Sequence, residues 1–202
     1  MANYLHKGDI PAGLDLGSLI AIDTETMGLN PWRDRLCLVQ LSSGDGNAHL
    51  VKLSDNFEAP NLKAQLADPQ RVKLFHFARF DLMMMRRWLG IDCQPVICTK
   101  IGSRLCRTNT DKHGLKDLCK DLLGVELSKQ QQSSDWGDEE LSPEQLTYAA
   151  ADVLYLHALW EKLDKMLIRE GRRDLAQACY DFLPHRAALD LAGWAEEDIF
   201  AH

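Results

Sequence analysis

Apolar residues first cluster at 18–23 (SLIAID), a short run that predicts a buried strand. Runs at 35–41 (RLCLVQL) and 48–53 predict two more. Gly44-Asp45-Gly46-Asn47 between them suits a hairpin turn, and Asn30-Pro31 marks a turn before them. Together they predict an antiparallel meander. A short helix is expected over 61–67, a fourth strand over 72–77 (VKLFHF), a helix over 81–89 stopped by Gly90, and a short fifth strand over 95–98. Helical patterning then prevails at 99–106, 114–123, 143–170 and 173–182.

The sharpest boundary is Ser142-Pro143-Glu144-Gln145. Ser142 suits an N-cap, Pro143 the first helical position, and Gln145 the reciprocal partner of a capping box. Leu146, Ala149, Val153, Leu156, Trp160, Leu163 and Leu167 then recur at helical spacing, and Gly171 fits just past the end. Strands first and helices afterwards predict one α/β domain over 1–202 with a mixed five-stranded sheet. Pro184 is expected to redirect the chain after a helix ending near Phe182. Leu189, Leu191, Trp194, Ile199 and Phe200 then load the stretch 183–202 with apolar groups. Such a tail packs back on its own subunit or across an interface.

Composition narrows the class. With 46% hydrophobic and 26% charged residues in 202, the chain is neither largely disordered nor a collagen-like repeat nor a small disulfide scaffold. No apolar run approaches the ~20 residues of a membrane span, and the first residues lack the apolar core of a signal peptide. A cytoplasmic protein without a membrane partner is expected. The net charge of −7 argues against tight, nonspecific duplex binding. It leaves room for a small anionic ligand or for a carboxylate metal site. The six cysteines form no C-x-x-C pair and are expected as reduced, mostly buried thiols.

The candidate chemistry lies in acids at element ends. Asp23 and Glu25 sit two apart at the end of the first strand, so they project from one face. D-x-E alone is weak: with 20 Asp and 10 Glu, about one arises by chance, and Asp138-Glu139-Glu140 supplies another beside a loop. The first differs because burial makes an unpaired charge costly. Tyr148 and Asp152 are spaced i, i+4 on the long helix and share a face. Asp81 follows the fourth strand; taken alone, it complements a helix start. Four carboxylates converging on one cleft suit two hard divalent cations, Mg²⁺ or Mn²⁺.

The order D-x-E, D, Y-x-x-x-D resembles the DEDD exonucleases, in the tyrosine-bearing, ribonuclease D-like branch of the ribonuclease H-like superfamily. The likeness rests on IDTETMGL at 22–29, HFARFD at 76–81, HGLKDLC at 113–119, SKQQQSSDW at 128–136 and YAAADVLYL at 148–156. NPWRDRLCLVQLS and the tail LDLAGWAEEDIFAH extend it to the nanoRNase C-type oligoribonucleases over nearly the whole chain. The resemblance implies a ribonuclease H-like fold and 3′–5′ trimming of short RNA, above all dinucleotides. It also implies a homo-oligomer of eight subunits. Single-stranded DNA, or longer RNA, is the alternative substrate. An inactive nucleic-acid-binding module is the reading from a different class, and the intact set of five catalytic-type residues weighs against it.

The resemblance also implies roles. Asp23, Glu25 and Asp152 hold one metal, Asp23 bridges to a second, Asp81 contributes from its outer shell, and Tyr148 orients the attacking water. In the turn after the strand, Met27, Gly28 and Leu29 are assigned to substrate. Leu29 is either a wedge against the terminal bases or a core residue at a turn, and Gly28 lets backbone approach a nucleotide. His76 touches a phosphate or ribose, or is a satisfied strand-end histidine. Lys129, Gln132 and Ser133, with Gln131 and Ser134, form a polar loop able to donate to a phosphate or base edge. Trp136 is expected to anchor that loop. Arg104, Arg107, Lys112, Lys116 and Lys120 form a basic cluster that either receives phosphates or balances nearby acids.

Overall fold

The computed structural model describes residues 2–128, 130–131 and 133–202. Strand β1 (Asn3–Lys7) is followed by β2 (Leu19–Thr26), β3 (Leu36–Ser42) and β4 (Ala48–Lys52). Helix α1 (Pro60–Ala67), strand β5 (Val72–Phe75), helix α2 (Ala78–Leu89) and strand β6 (Val96–Cys98) come next. The rest is helical: α3 (Thr99–Cys106), α4 (Leu115–Leu118) running into a π-turn at Cys119–Leu123, α5 (Pro143–Leu154), α6 (Leu156–Arg169) and α7 (Arg173–Leu189), closed by a π-turn at Asp190–Trp194.

The six strands lie in the order β1-β4-β3-β2-β5-β6. As expected, β2, β3 and β4 are an antiparallel meander. Strands β5 and β6 run parallel to β2 beyond it. All seven residues of β3 are buried, as suits a strand covered on both faces. Helix α5 crosses β2, β3 and β4, α2 lies along β5 and β6, and α6 and α7 pack on α3. Asp23 and Glu25 on β2, and Tyr148 and Asp152 on α5, thus approach one another across the sheet–helix interface.

Four expectations change. The mixed sheet has six strands: β1 pairs in parallel with β4, and its ends are tied by Ala48 N–H to the Ala2 carbonyl at 3.0 Å and Gly8 N–H to the Lys52 carbonyl at 2.8 Å. It escapes a local reading because NYLHK is mostly exposed and shows no apolar alternation. Next, β5 stops at Phe75 and α2 starts at Ala78 rather than Asp81, because Phe77 takes a left-handed backbone (φ 70°, ψ 43°) that ends the strand and caps the helix. The expected helix 143–170 is broken at Tyr155 (φ −103°, ψ −5°). Its apolar stripe continues through the break, but α5 follows the sheet while α6 follows α3, and one straight helix cannot do both. Finally, Pro184 does not redirect the chain. It sits buried inside α7 between Leu183 and Ala187, where packing on α2 and β6 outweighs the lost backbone bond.

The capping box at α5 forms in full: Ser142 Oγ accepts from Gln145 N–H, and Gln145 Oε1 accepts from Ser142 N–H. The six cysteines are free thiols. Among the described residues no helix is long and apolar enough to cross a membrane.

Candidate active site

Asp23, Glu25 and Asp152 each bring a carboxylate oxygen to within 4.8 Å of the other two. The alternation of β2 puts both acids on one face; its register with β3 slips only past Glu25, at Thr26. Asp152 reaches them from α5, one turn after Tyr148. Asp81 stands outside this trio. It is 3% exposed and accepts a 2.7 Å hydrogen bond from Thr24 Oγ1, the residue between the two β2 acids. The trio and Tyr148 line a cleft of about 330 Å³ shared with His76, Lys100 and Lys116.

The electrostatics point to a missing positive charge. Burial, then Asp81, Asp152 and Glu25, raises the Asp23 carboxyl well above its usual range. Burial, then Asp152 and Asp81, pushes Glu25 up to about 9. Burial brings Asp152 to about 7, and Asp81 to about 7 against the Thr24 hydrogen bond that favours its charged form. Among the described residues no lysine or arginine forms an ion pair with any of the four. A hard divalent cation held by oxygen ligands fits this donor set, because it supplies the counter-charge the protein omits. Burial and the charges of Asp152, Glu25 and Asp23 raise the Tyr148 phenol, so it is a neutral O–H at pH 7.

His76 is held as a neutral imidazole. Burial, then the Lys100 ammonium, lowers it to about 3. Thr99 Oγ1 donates to the Phe75 carbonyl at 3.1 Å. Its one proton is thereby committed, so His76 Nδ1–H donates to Thr99 Oγ1 at 2.9 Å.

Leu29 is 80% exposed, which removes core packing as its role. Gly28 has a local reason to be glycine: a Cβ there would collide with the Asp34 carboxylate, which accepts from Asn30 N–H at 2.9 Å and closes the turn. Met27 is half exposed and lies against Gly137. Of the polar loop, Ser133 is exposed, Ser134 donates to Gln131, and Lys129 and Gln132 lie outside the described residues. Trp136 is the loop's anchor, 2% exposed with its ring centroid 6.1 Å from that of Tyr148. Lys52 and Arg35 donate to carbonyls at 136–138, and Gln145 Nε2 donates to the Asp135 carbonyl at 3.0 Å, which fixes the same stretch.

The basic cluster divides. Arg107 is buried, paired with Asp121 at 2.5 Å and donating to the Lys112 carbonyl; Lys120 pairs with Glu126 at 2.9 Å. Lys116 instead faces the cleft. Lys100 and Phe77 are cleft residues that the sequence does not single out. Lys100 is a single lysine at a helix start, without a pattern to mark it. Phe77 lies inside HFARFD but looks like any apolar residue at a strand end. Its left-handed backbone costs a side-chain-bearing residue roughly 1–2 kcal/mol, and the residue is 47% exposed.

A family model for the 3′–5′ exonuclease domain (DNA_pol_A_exo1) matches residues 10–168. The chain is similar to NrnC of Brucella melitensis. It is 52% identical to the structure with bound Mg²⁺, covering 100% of both chains at a TM-score of 0.96. It is 53% identical to the structure bound to pGG, covering 100% of this chain and 99% of that one at 0.97. Ribonuclease D of Granulibacter bethesdensis is 33% identical over 153 residues, 76% of this chain. The chain spans about 38% of that relative's length.

Proposed function

We propose, from the premise that this chain belongs to the 3′–5′ exonuclease family, that it is a metal-dependent 3′–5′ exoribonuclease that hydrolyses short RNA, dinucleotides above all, to 5′-mononucleotides. The observation that carries the reading is the trio Asp23, Glu25 and Asp152, half-buried, within 4.8 Å of one another and, among the described residues, in no ion pair with a lysine or arginine. The likeness to Brucella NrnC bound to pGG supports the short substrate. The likeness to the Mg²⁺-bound structure supports the metal.

In this reading Asp23, Glu25, Asp81 and Asp152 hold two divalent cations, Mg²⁺ or Mn²⁺. Bound there, the cations supply Lewis acidity to the attacking water and offset charge on the leaving 3′ oxygen. Tyr148, a neutral phenol, accepts or donates a hydrogen bond that aims the water; its raised pKa makes it a poor general base at pH 7. His76, neutral and pinned by Thr99 through its Nδ1–H, offers its other ring nitrogen as an acceptor, which suits a ribose hydroxyl. Met27, Gly28 and Leu29 form the turn beside the terminal nucleoside, and Lys129, Gln132 and Ser133 meet the substrate from the polar loop. Leu29, the most exposed large apolar residue among those described, suits a wedge that finds its apolar partner in a base.

The reading extends to one exonuclease domain over 1–202 that works in the cytoplasm as a homo-octamer. The tail supports assembly: Trp194, Ile199 and Phe200 are 43%, 41% and 76% exposed, apolar area that a subunit contact would cover. The similarity to Ribonuclease D favours a second reading, a broader exonuclease acting on longer RNA or single-stranded DNA. Comparing kcat/KM for a 5′-phosphorylated dinucleotide and a heptamer of the same composition, with Mg²⁺ and with EDTA, tests both. The dinucleotide should be strongly preferred and EDTA should abolish turnover. Equal efficiency on the heptamer selects the broader reading, and full activity in chelated enzyme removes the metal mechanism.

A further inference from the structure

Among the described residues two non-glycine residues hold a left-handed backbone, Phe57 and Phe77. Phe57 offsets its strain by packing on Trp88, with ring centroids 5.1 Å apart. Phe77 does not: the residue stays 47% exposed, so core packing does not account for the conformation. What the conformation achieves is placement. Phe77 stands between His76 and the helix that carries Asp81, and its ring borders both the carboxylate cleft and a neighbouring cavity of about 570 Å³ that begins at Leu29 and Trp32. The Lys100 ammonium sits 4.2 Å from the ring centroid, over one face. A cation on one face leaves the other for a flat, electron-rich or polarisable partner.

We infer that Phe77 is a stacking platform for a nucleobase of the substrate, and that its strained backbone is kept because it aims the ring from the cleft toward Leu29. This rests on the exonuclease reading above. A base fits better than an apolar protein side chain because the ring adjoins the carboxylates and the cleft-lining lysines Lys100 and Lys116, surroundings suited to a nucleotide. Strain at a functional position is tolerated when the surrounding structure holds it, here β5 on one side and α2 on the other.

The test uses full-length enzyme with Mg²⁺, a 5′-phosphorylated dinucleotide, and two analogues each lacking one base. In wild type, removing the stacked base should raise KM by about five- to a hundredfold, the range for a lost base–aromatic stack. Phe77→Ala should raise KM for the intact dinucleotide by a similar factor, with kcat within about threefold, and should be indifferent to loss of that base. Phe77→Tyr should restore KM. Phe77→Gly keeps the backbone accessible without strain, so it should unfold at or above the wild-type temperature while showing the same KM defect. That separates a binding loss from misfolding. If Phe77→Ala still loses affinity when each base is removed, as wild type does, the platform is overturned. It is equally overturned if the variant lowers the oligomer mass by light scattering without any base-dependent change in KM, since the ring then serves a subunit contact. If wild type cleaves no dinucleotide with Mg²⁺, the short-substrate reading fails, and this inference with it.

Discussion

Asp81 and Asp190 are both nearly withdrawn from water, at 3% and 6% exposure, yet the protein treats them in opposite ways. Asp190 is fully answered. Arg79 grips it with two hydrogen bonds of 2.7 and 2.8 Å, and Arg186 adds a third at 2.8 Å. The same guanidiniums reach on to the carbonyls of Trp194 and Ala195, so one buried carboxylate ties α2, α7 and the C-terminal segment together. Asp81 receives the Thr24 hydroxyl and the backbone N–H groups of Thr24 and of Asp81 itself, no guanidinium, and shares its surroundings with three more acids. A buried carboxylate is costly unless it is paired or binds a metal. Where a fold could supply arginines and does so at one site but not the other, the unanswered site is the one left for a ligand. The two aspartates lie on adjoining structure, since Arg79 and Asp81 share the first turn of α2.

Removing carboxylates separates the two regions most sharply. Asp23→Asn, Glu25→Gln, Asp81→Asn and Asp152→Asn should each lower kcat by about a thousandfold or more, the scale of losing a group that organises transition-state charge. In EDTA each should leave the unfolding temperature unchanged or higher, because a repelled charge has gone. Mononucleotide release and thermal unfolding check both halves. A large loss of metal-free stability would mean that the cleft is built like the Asp190 clamp.

Asp190→Ala should do the reverse. It leaves two guanidiniums facing one another and should cost about 3 kcal/mol in urea unfolding. The segment after 190 should also become open to proteolysis. Unchanged stability would show that the clamp is ornamental and the contrast between the two sites empty.

Tyr148→Phe removes only the hydroxyl. It should cut kcat by roughly ten- to a hundredfold while KM moves little, since aiming the water matters at the transition state. Near-normal kcat would take Tyr148 out of the reaction.

The pH dependence tests the comparison without a substitution. Folding raises Glu25 to about 9 and Asp81 and Asp152 to about 7 in metal-free protein, so between their unfolded values near 4 and these the folded state holds more protons than the unfolded one. Stability from this source is therefore present in acid and lost as pH rises through about 7 and then 9, by at most about 1.4 kcal/mol per pH unit for each proton. Mg²⁺ should flatten or invert the slope. Unfolding temperatures from pH 5 to 9, with and without Mg²⁺, measure it. A metal-free protein that gains stability over that range contradicts the burial of these acids.

The sequence by itself determined whatever depends on neighbours along the chain. The spacing of two along a strand put Asp23 and Glu25 on one face, helical spacing put Tyr148 above Asp152, and Ser142-Pro143-Glu144-Gln145 marked the start of α5 to the residue. These are short-range periodicities and caps that no distant contact has to complete. The order of the acids along the chain also let the family likeness be drawn before any geometry. Tertiary structure alone decided what depends on partners far away in sequence. Strand β1 exists because β4, more than forty residues on, offers it an edge. The helix breaks at Tyr155 because sheet and α3 pull its halves along different surfaces. Pro184 stays helical because burial outweighs a lost hydrogen bond. Phe77 turns left-handed, and Lys100 enters the cleft, for want of any local signal. That Asp190 is paired and the cleft acids are not is likewise invisible in the chain, because a carboxylate's meaning is set by which charges fold next to it.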